Sequence, residues 1–329
     1  MTNTLGRLIL LCLLLASAWL PNSRALAQTY PNRTVTIVVT SAAGALTDTL
    51  TRAVAQRLSQ KWGQNVIVEN RGGGGHAYGA LAVVKAEHDG HTLLASENGF
   101  VTIQPQLYAK GKLPYDPETD FVPVAGYASI PVALLANPSV PAKSLGELIA
   151  LAKQKPEAVT YGTAGVGTAL HTAALLLESL AGIKLTAVHY RGAAPALGDV
   201  VAGHINIVIM GPSVALPNVK AGKLNMLGFG SPKRMPQFPD VPAIAETVPG
   251  YDASVSFGMF APAGTPREVV QKINADVQQI VGDPEFHKKF LERFVVQPLP
   301  GPLDAYANYL RSDSAKWAKV IKASKLKIE

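Results

Sequence analysis

Short apolar runs alternate with amphipathic stretches along most of the chain. In the first third, the pattern predicts strands at residues 34–39, 66–69 and 92–96 and helices at residues 46–62 and 76–85. The first predicted helix has one apolar stripe at every fourth position, formed by Leu46, Leu50, Val54, Leu58 and Trp62. Such a stripe packs on a sheet. The alternation is typical of βαβ units with parallel strands.

The same alternation returns in the middle of the chain, after two proline-punctuated connections. It predicts helices at residues 144–153, 169–180 and 195–202 and strands at residues 159–162, 185–189, 205–210 and 224–228. Beyond a proline-dense stretch, residues 232–249, come one extended run and then helices, the last of which carries Trp317, Val320 and Ile321 on one face. We expect these last helices to return to the first set of elements.

Two extended apolar runs, residues 121–136 and 254–261, are predicted to cross between the two sets. A chain of this length exceeds what one hydrophobic core usually serves, so two lobes are expected. The predicted organisation is a discontinuous α/β lobe of residues 28–128 and 254–329 and a second α/β lobe of residues 129–253. The two crossing segments form the hinge.

The N-terminal residues 1–27 have the pattern of a secretory signal peptide. Arg7 is followed by an apolar stretch, residues 8–20, and by the small-residue site Ala25-Leu26-Ala27. Because the apolar stretch is shorter than the about 20 residues that span a bilayer, we expect cleavage after Ala27 and export of the mature chain. The single cysteine, Cys12, lies in this segment, so the mature chain needs no disulfide.

The mature chain would carry a modest positive charge. Loss of two arginines with the signal segment lowers the formal charge from +7 to +5. The basic residues are scattered, apart from a group between Lys316 and Lys327, and lack the clustering with interleaved aromatic residues that nucleic-acid binding requires. We therefore expect no nucleic-acid partner. A mild positive field suits the capture of small anions.

Two loops rich in glycine and other small residues precede predicted helices. The first spans Ser41 to Asp48, and the second spans Thr163 to Thr168, about 120 residues later. The free N–H groups and the positive dipole end of a helix N-terminus favour an anion. Each loop is therefore predicted to bind an anion, and two loops that face each other would hold a small carboxylated solute.

Other interpretations of these residues stay open. Thr47 or Asp48 would cap its helix, a role that needs only one of them. His171 is explained equally well as a core or capping residue and as a ligand contact, for which a pKa near 6.5 would suit hydrogen bonding to an anion. The Gly-rich stretch 71–77 matches a dinucleotide motif, but it follows the second strand instead of the first, which favours a turn at the cleft rim.

The sequence contains no motif for catalysis or metal binding that we can name. His88-Asp89-Gly90-His91 is a turn signal, and no further His or carboxylate pair has the spacing of a metal site. Nucleophile-elbow, zinc-peptidase and P-loop motifs are absent from the sequence, and the mature chain would have no thiol nucleophile. We expect a protein without cofactor or metal that is not an enzyme.

In their order and number, the motifs resemble the periplasmic receptors of tripartite tricarboxylate transporters, often called Bug receptors. The resemblance covers essentially all of the mature chain and is carried by residues 30–31, 44–48, 68–71, 89–94, 113–116, 137–139, 161–171, 190–197, 221–224, 238–242 and 262–266. It implies a two-lobed Venus-flytrap fold, similar to type II periplasmic binding proteins, that closes on a carboxylated solute and presents it to a membrane permease. A monomer is expected.

The resemblance also implies ligand contacts from both lobes. Those of the first lobe are Ser41, Ala43, Gly44, Ala45, Leu46, Thr47, Asp48, Ser96 and Asn98, and those of the second are Thr163, Gly165, Val166, Gly167, Thr168, His171, Arg191, Met210 and Gly211. Many members carry an aspartate where this chain has Met210-Gly211-Pro212, and its first loop is more apolar than theirs. Both departures favour a dicarboxylate or an aromatic carboxylate over an amino acid. The alternatives are a sensor that uses the same cleft and, less favoured, an exported α/β enzyme.

Overall fold

The computed structural model of the protein describes residues 30–74, 76–109 and 111–327, and the predicted signal peptide lies outside them. The strands are β1 (Val35–Val39), β2 (Val66–Asn70), β3 (Thr92–Glu97), β4 (Phe121–Ile130), β5 (Ala133–Ala136), β6 (Thr160–Thr163), β7 (Thr186–His189), β8 (Ile207–Met210), β9 (Asn225–Phe229), β10 (Val255–Pro262) and β11 (Gln297–Pro298). The helices are α1 (Leu46–Trp62), α2 (Ala77–Val84), α3 (Gly99–Thr102), α4 (Gln104–Leu107), α5 (Leu145–Gln154), α6 (Ala169–Ala181), α7 (Ala193–Ala202), α8 (Pro212–Lys220), α9 (Ile244–Thr247), α10 (Arg267–Val281), α11 (Pro284–Phe286) and α12 (Leu303–Ser324). A π-helical turn (His287–Leu291) and a 3-10 turn (Glu292–Phe294) follow α11.

Two separate sheets form the centres of two α/β lobes. The first has the strand order β11-β4-β10-β3-β1-β2, and the second has the order β7-β6-β8-β5-β9. Strand β1 is parallel to β2 and β3, and β6 is parallel to β7 and β8, as βαβ units require. Antiparallel pairs occur where β10 joins β3 and β4 and where β5 joins β8 and β9. The predicted α/β class with two lobes is confirmed.

The chain crosses between the sheets at two adjacent places. It leaves the first sheet after Ile130 and enters the second at Ala133, so the single extended run predicted for residues 121–136 is two strands in different sheets. The return runs from Phe229 to Val255. Because Val255 pairs with Ile130, the two crossings run side by side.

The last helix, α12, packs against both lobes. Its first half contributes Tyr306 and Leu310 to a core cluster of the first lobe. Its second half contributes Trp317, Val320 and Ile321 to the cluster that contains the core of the second lobe. Sequence analysis assigned this helix to the first lobe alone, but a helix of 22 residues is about 33 Å long and reaches from one to the other.

The ring of Tyr306 packs on two glycines that pair across strands β4 and β10. Gly126 lies opposite Gly258 in this pair of strands. A Cβ atom on Gly258 would overlap the Tyr306 ring. The packing of the start of α12 on the first sheet therefore requires glycine at positions 126 and 258. No helix in the described part of the chain has the length and hydropathy needed to cross a membrane.

Candidate functional site

A cavity of about 160 Å³ lies between the lobes at the crossings. The first lobe lines it with His76, Glu97 and Asn98, at the carboxyl end of β3 and the start of α2. The second lobe contributes residues 167–169, at the N-terminus of α6, and α12 contributes Trp317. A groove of about 330 Å³ on the second lobe, between α5, α6 and the end of α12, is larger. We favour the smaller cavity because ligands of α/β proteins bind at the carboxyl ends of the strands.

The second loop is held by its own hydrogen bonds. The Gly165 N–H donates to Thr163 Oγ1 at 2.9 Å, and the Thr168 hydroxyl donates to the Gly165 carbonyl at 2.8 Å. Thr168 also caps α6 by accepting the His171 N–H. Gly165 has a φ of 130°, a value that favours glycine. The loop is therefore ordered before any ligand binds, and Gly167 and Thr168 reach the cavity.

His171 is buried and supports the loop from beneath. The Gly167 N–H donates to its Nδ1 at 3.1 Å, and only 6% of the residue is exposed. Burial and the neighbouring His189 lower its pKa to about 4. The pKa near 6.5 considered in the sequence analysis is therefore wrong for this environment. His171 is neutral at neutral pH, and it takes up the Gly167 N–H that a ligand would otherwise use.

The first loop is closed by the chain's own carboxylate. Asp48 accepts hydrogen bonds from the Gly44 N–H and from Asn70, each at 2.9 Å, and its ion pair with Arg52 is also 2.9 Å long. Burial raises the pKa of Asp48, but these three partners outweigh it and hold the pKa below its usual value. The cap position of α1 is Ala45, without a side-chain cap hydrogen bond, so neither Thr47 nor Asp48 caps the helix as predicted. Asp48 lies inside the first turn and binds back to Gly44, where it occupies part of the expected anion site.

The first loop lies outside the lining of the interlobe cavity, contrary to expectation. None of the residues from Ser41 to Asp48 lines the interlobe cavity. Ala43 and Gly44 are exposed, Ala45 and Leu46 are half-buried, and Thr47 is buried. The hydroxyl of Ser41 is buried and has no partner among the residues that the structure describes. The loop remains a proposed contact only for a ligand that extends beyond this cavity.

The other predicted residues divide into those near the cavity and those away from it. Asn98 lines it, although its side chain donates to Asp313 at 2.7 Å and accepts from the Ser256 N–H at 3.1 Å. Ser96 is fully buried behind it. Val166, at the tip of the second loop, is 49% exposed. Like Thr163, Gly165 and His171, the last three do not line the cavity. Met210 is in the core of the second lobe, Gly211 is half-buried and Arg191 is exposed.

Most of the residues that line the cavity lie outside the predicted set, and among them are the polar side chains of His76, Glu97, Gln104 and Trp317. The Gln104 Oε1 and the Trp317 Nε1 are buried and have no hydrogen-bond partner within the described ranges. A buried polar atom without a partner costs about 1–3 kcal/mol, which a ligand can recover. Glu97 ends a strand of the first sheet and could have been found from that position. Trp317 lies more than 200 residues further along the chain, in a stripe typical of core residues.

In residues 30–74, 76–109 and 111–327, no group of three or more His, Cys, Asp or Glu side chains could hold a metal ion. The cavity lining offers hydrogen-bond donors and acceptors. The start of α6 and Trp317 supply donors, and the first lobe supplies the acceptors Glu97 and Gln104 beside the ring of His76. This arrangement can hold a small polar solute.

Comparison with known proteins gives consistent similarities over most of the chain. A family model for the tripartite tricarboxylate transporter family receptor matches residues 50–326. A UPF0065 protein in the tcbD-tcbE intergenic region of Pseudomonas sp. strain P51 is 33% identical over 294 residues, which cover 89% of this chain and 86% of the relative. The solved structure of R. palustris Rpa4515 with adipate is 33% identical, with a TM-score of 0.75 over 91% of this chain and 99% of that one. The periplasmic binding protein BugD is 29% identical, with a TM-score of 0.72 over 91% and 100%. The predicted periplasmic-binding-protein fold is confirmed.

Proposed function

Since the chain belongs to the family of tripartite tricarboxylate transporter receptors, we propose that it is an extracytoplasmic receptor for a small carboxylate. The ligand binds in the cavity between the lobes, and the protein then presents it to the membrane permease of a tripartite tricarboxylate transporter. It acts as a monomer in the periplasm, after removal of residues 1–27. Nucleic acid is not a partner.

The observation that carries this proposal is the meeting of a helix N-terminus and a buried N–H in one cavity. Helix α6 begins at Ala169, which lines the cavity. Thr168 accepts the N–H groups of His171 and Thr172, so those of Ala169 and Leu170 are the first-turn groups without a carbonyl of the helix to bind. The indole N–H of Trp317 is buried without a partner on the same cavity. Both favour the oxygen atoms of an anion. A carboxylate therefore fits between Ala169 and Trp317.

The lobes and the ligand class are part of the proposal. We assign residues 28–128 and 254–329 to one lobe and residues 129–253 to the other, with α12 bridging both. The R. palustris relative with adipate supports a carboxylate ligand. The absence of an acid from Met210-Gly211-Pro212 favours a dicarboxylate or an aromatic carboxylate over a simple amino acid.

A receptor of this kind has no catalytic role. Binding alone should be observed, with lobe closure and without product formation. A sensor that signals to a membrane partner would use the same cavity. Deletion of the cognate permease genes separates the two, because a transport receptor then loses solute uptake while a sensor keeps its ligand-dependent response.

A thermal-shift screen of a carboxylate library tests the proposal. A ligand at 100 times its Kd stabilises the folded protein by about 2.7 kcal/mol. We expect at least one carboxylate to raise the melting temperature and Gly165→Val to abolish that rise. Gly63→Val is the matched control, because Gly63 also has a positive φ of 65° but ends α1, away from the loop that reaches the cavity. A library without any hit, or an equal loss in both variants, would contradict the proposal.

A further inference from the structure

The first-lobe wall of the cavity carries a negatively charged side chain, that of Glu97. Glu97 is the last residue of β3, and about a third of its side chain is exposed. Within ion-pair distance of its carboxylate, the described residues place His76 alone and no lysine or arginine. A carboxylate in a cavity that binds carboxylates repels its ligand unless the ligand brings a hydrogen-bond donor.

A chain of hydrogen bonds fixes the position of His76 beside Glu97. Ser96 Oγ and Thr40 Oγ1 are 2.7 Å apart, and Thr40 Oγ1 is 3.0 Å from His76 Nδ1. The other ring nitrogen, Nε2, lies 3.5 Å from Glu97 Oε1. When Thr40 donates to Nδ1, the ring carries its hydrogen on Nε2, the nitrogen on the side of Glu97. Burial lowers the pKa of His76, with Glu97 opposing this more weakly, so that His76 orients Glu97 at neutral pH without neutralising it.

The backbone of His76 has a conformation that is unfavourable for a residue with a side chain. Its φ is 78°, in the left-handed region that residues other than glycine rarely adopt. Such conformations persist where the surroundings require them. The hydrogen bond to Thr40 is the contact that positions the ring.

The cavity is therefore polarised from one wall to the other. Glu97 and the unpaired Gln104 Oε1 are acceptors on the first lobe. The start of α6 at Ala169 and the Trp317 Nε1 are donors on the opposite side. A ligand that satisfies both walls must present acceptor oxygens at one end and a donor group elsewhere.

We propose that the cavity selects a carboxylate that also carries a hydroxyl or an ammonium group on its carbon chain, with Glu97 as the acceptor for that group and His76 as its positioning residue. The inference rests on the proposed function and narrows its ligand class. Glu97 supplies, from the first lobe, the acid that Met210-Gly211-Pro212 lacks in the second. The volume of about 160 Å³ is below the about 300 Å³ at which pockets for drug-sized ligands begin, and it suits a chain of a few carbons.

Isothermal titration calorimetry with two matched ligand sets tests the proposal. The first set is succinate, malate and aspartate, and the second is adipate, 2-hydroxyadipate and 2-aminoadipate, so that the members of a set differ only in one substituent. We expect a substituted member to bind about tenfold more tightly than its unsubstituted parent, or better, since hydrogen bonds to charged groups are the strong ones. Preference for the hydroxyl or for the ammonium member identifies the donor. Equal or tighter binding of the parent compounds overturns the proposal.

Variants of Glu97 separate recognition from folding. Glu97→Gln removes the charge and should bring the ammonium compounds to within about threefold of their parents. Glu97→Ala removes the acceptor and should do the same for the hydroxyl compounds. Both variants should bind succinate or adipate at least as well as the wild type, because a like charge is gone. Glu292→Gln is the matched control, since Glu292 is exposed and does not line the cavity.

Two outcomes contradict the role of Glu97. A Glu97→Gln variant that loses affinity equally for all members of a set assigns the residue a structural role only. Binding of none of the six compounds also overturns the inference. The carboxylate library screen decides the proposed function separately, because a hit outside the two sets would leave the receptor role intact.

Discussion

Acidification should destabilise the folded protein through His171, and the variant His171→Asn should remove that loss. His171 is buried next to Tyr161 and His189, with ring centroids 6.3 and 4.9 Å away. Its Nδ1 accepts the Gly167 N–H. Protonation of Nδ1 would replace this acceptor by a donor that faces another donor. The loop in front of α6 would then lose a support.

The magnitude follows from the shift of the pKa. The value falls from 6.5 in the unfolded chain to about 4 in the folded protein. Because the unfolded chain binds the proton more readily, the contribution of His171 is fully present above about pH 6.5 and is lost as the pH falls towards 4. A shift of this size corresponds to at most about 3 kcal/mol, and partial solvent screening of the ring reduces that figure.

Urea unfolding of the wild type and His171→Asn at pH 7, 6, 5 and 4 measures this contribution. The Oδ1 of asparagine can accept the Gly167 N–H and does not titrate in this range. Other groups with lowered pKa values, such as His76 and Asp48, are present in both proteins, so the difference between the two curves isolates His171. The wild type should lose about 1–3 kcal/mol relative to the variant between pH 7 and pH 4. Parallel curves would refute the reasoning.

Three further predictions test other parts of the structure. Gly165→Ala places a side chain at a φ of 130° and should cost about 1–2 kcal/mol, measured as a lower urea midpoint; an unchanged midpoint would show that the loop relaxes freely. Gly258→Ala should cost about 1–3 kcal/mol because its Cβ would overlap the Tyr306 ring, and Tyr306→Leu should recover part of that loss; no recovery would place the strain elsewhere. Trp317→Phe removes the unpaired indole N–H and should weaken binding of the carboxylate found in the screen about tenfold, with an unchanged circular-dichroism spectrum; equal affinity would remove Trp317 from the site.

Much of the fold follows from local pattern. Helix α1 begins and ends at the predicted residues, Leu46 and Trp62, because its apolar stripe and the glycine that ends it are local signals. The run at residues 121–136 was predicted as one segment because hydropathy does not show where a strand changes sheets. The short helices α3 and α4 were not predicted, because four residues are too few to show a helical period.

Less of the candidate site than of the fold could be predicted from the sequence. Glycine and small residues indicated loops at helix starts, and the second loop does reach the cavity. Asp48 shows why the first loop differs: its bond to Asn70 depends on the pairing of β1 with β2, which no local pattern specifies. The unpaired nitrogen of Trp317 and the approach of His76 to Glu97 are likewise tertiary contacts.

A crystal structure of the protein with its carboxylate ligand tests the central claim most directly. The account predicts a carboxylate oxygen within hydrogen-bond distance of the N–H groups that begin α6 at Ala169, and a second contact to the Trp317 Nε1. A ligand bound instead in the groove between α5, α6 and the end of α12, with the interlobe cavity empty, would contradict it.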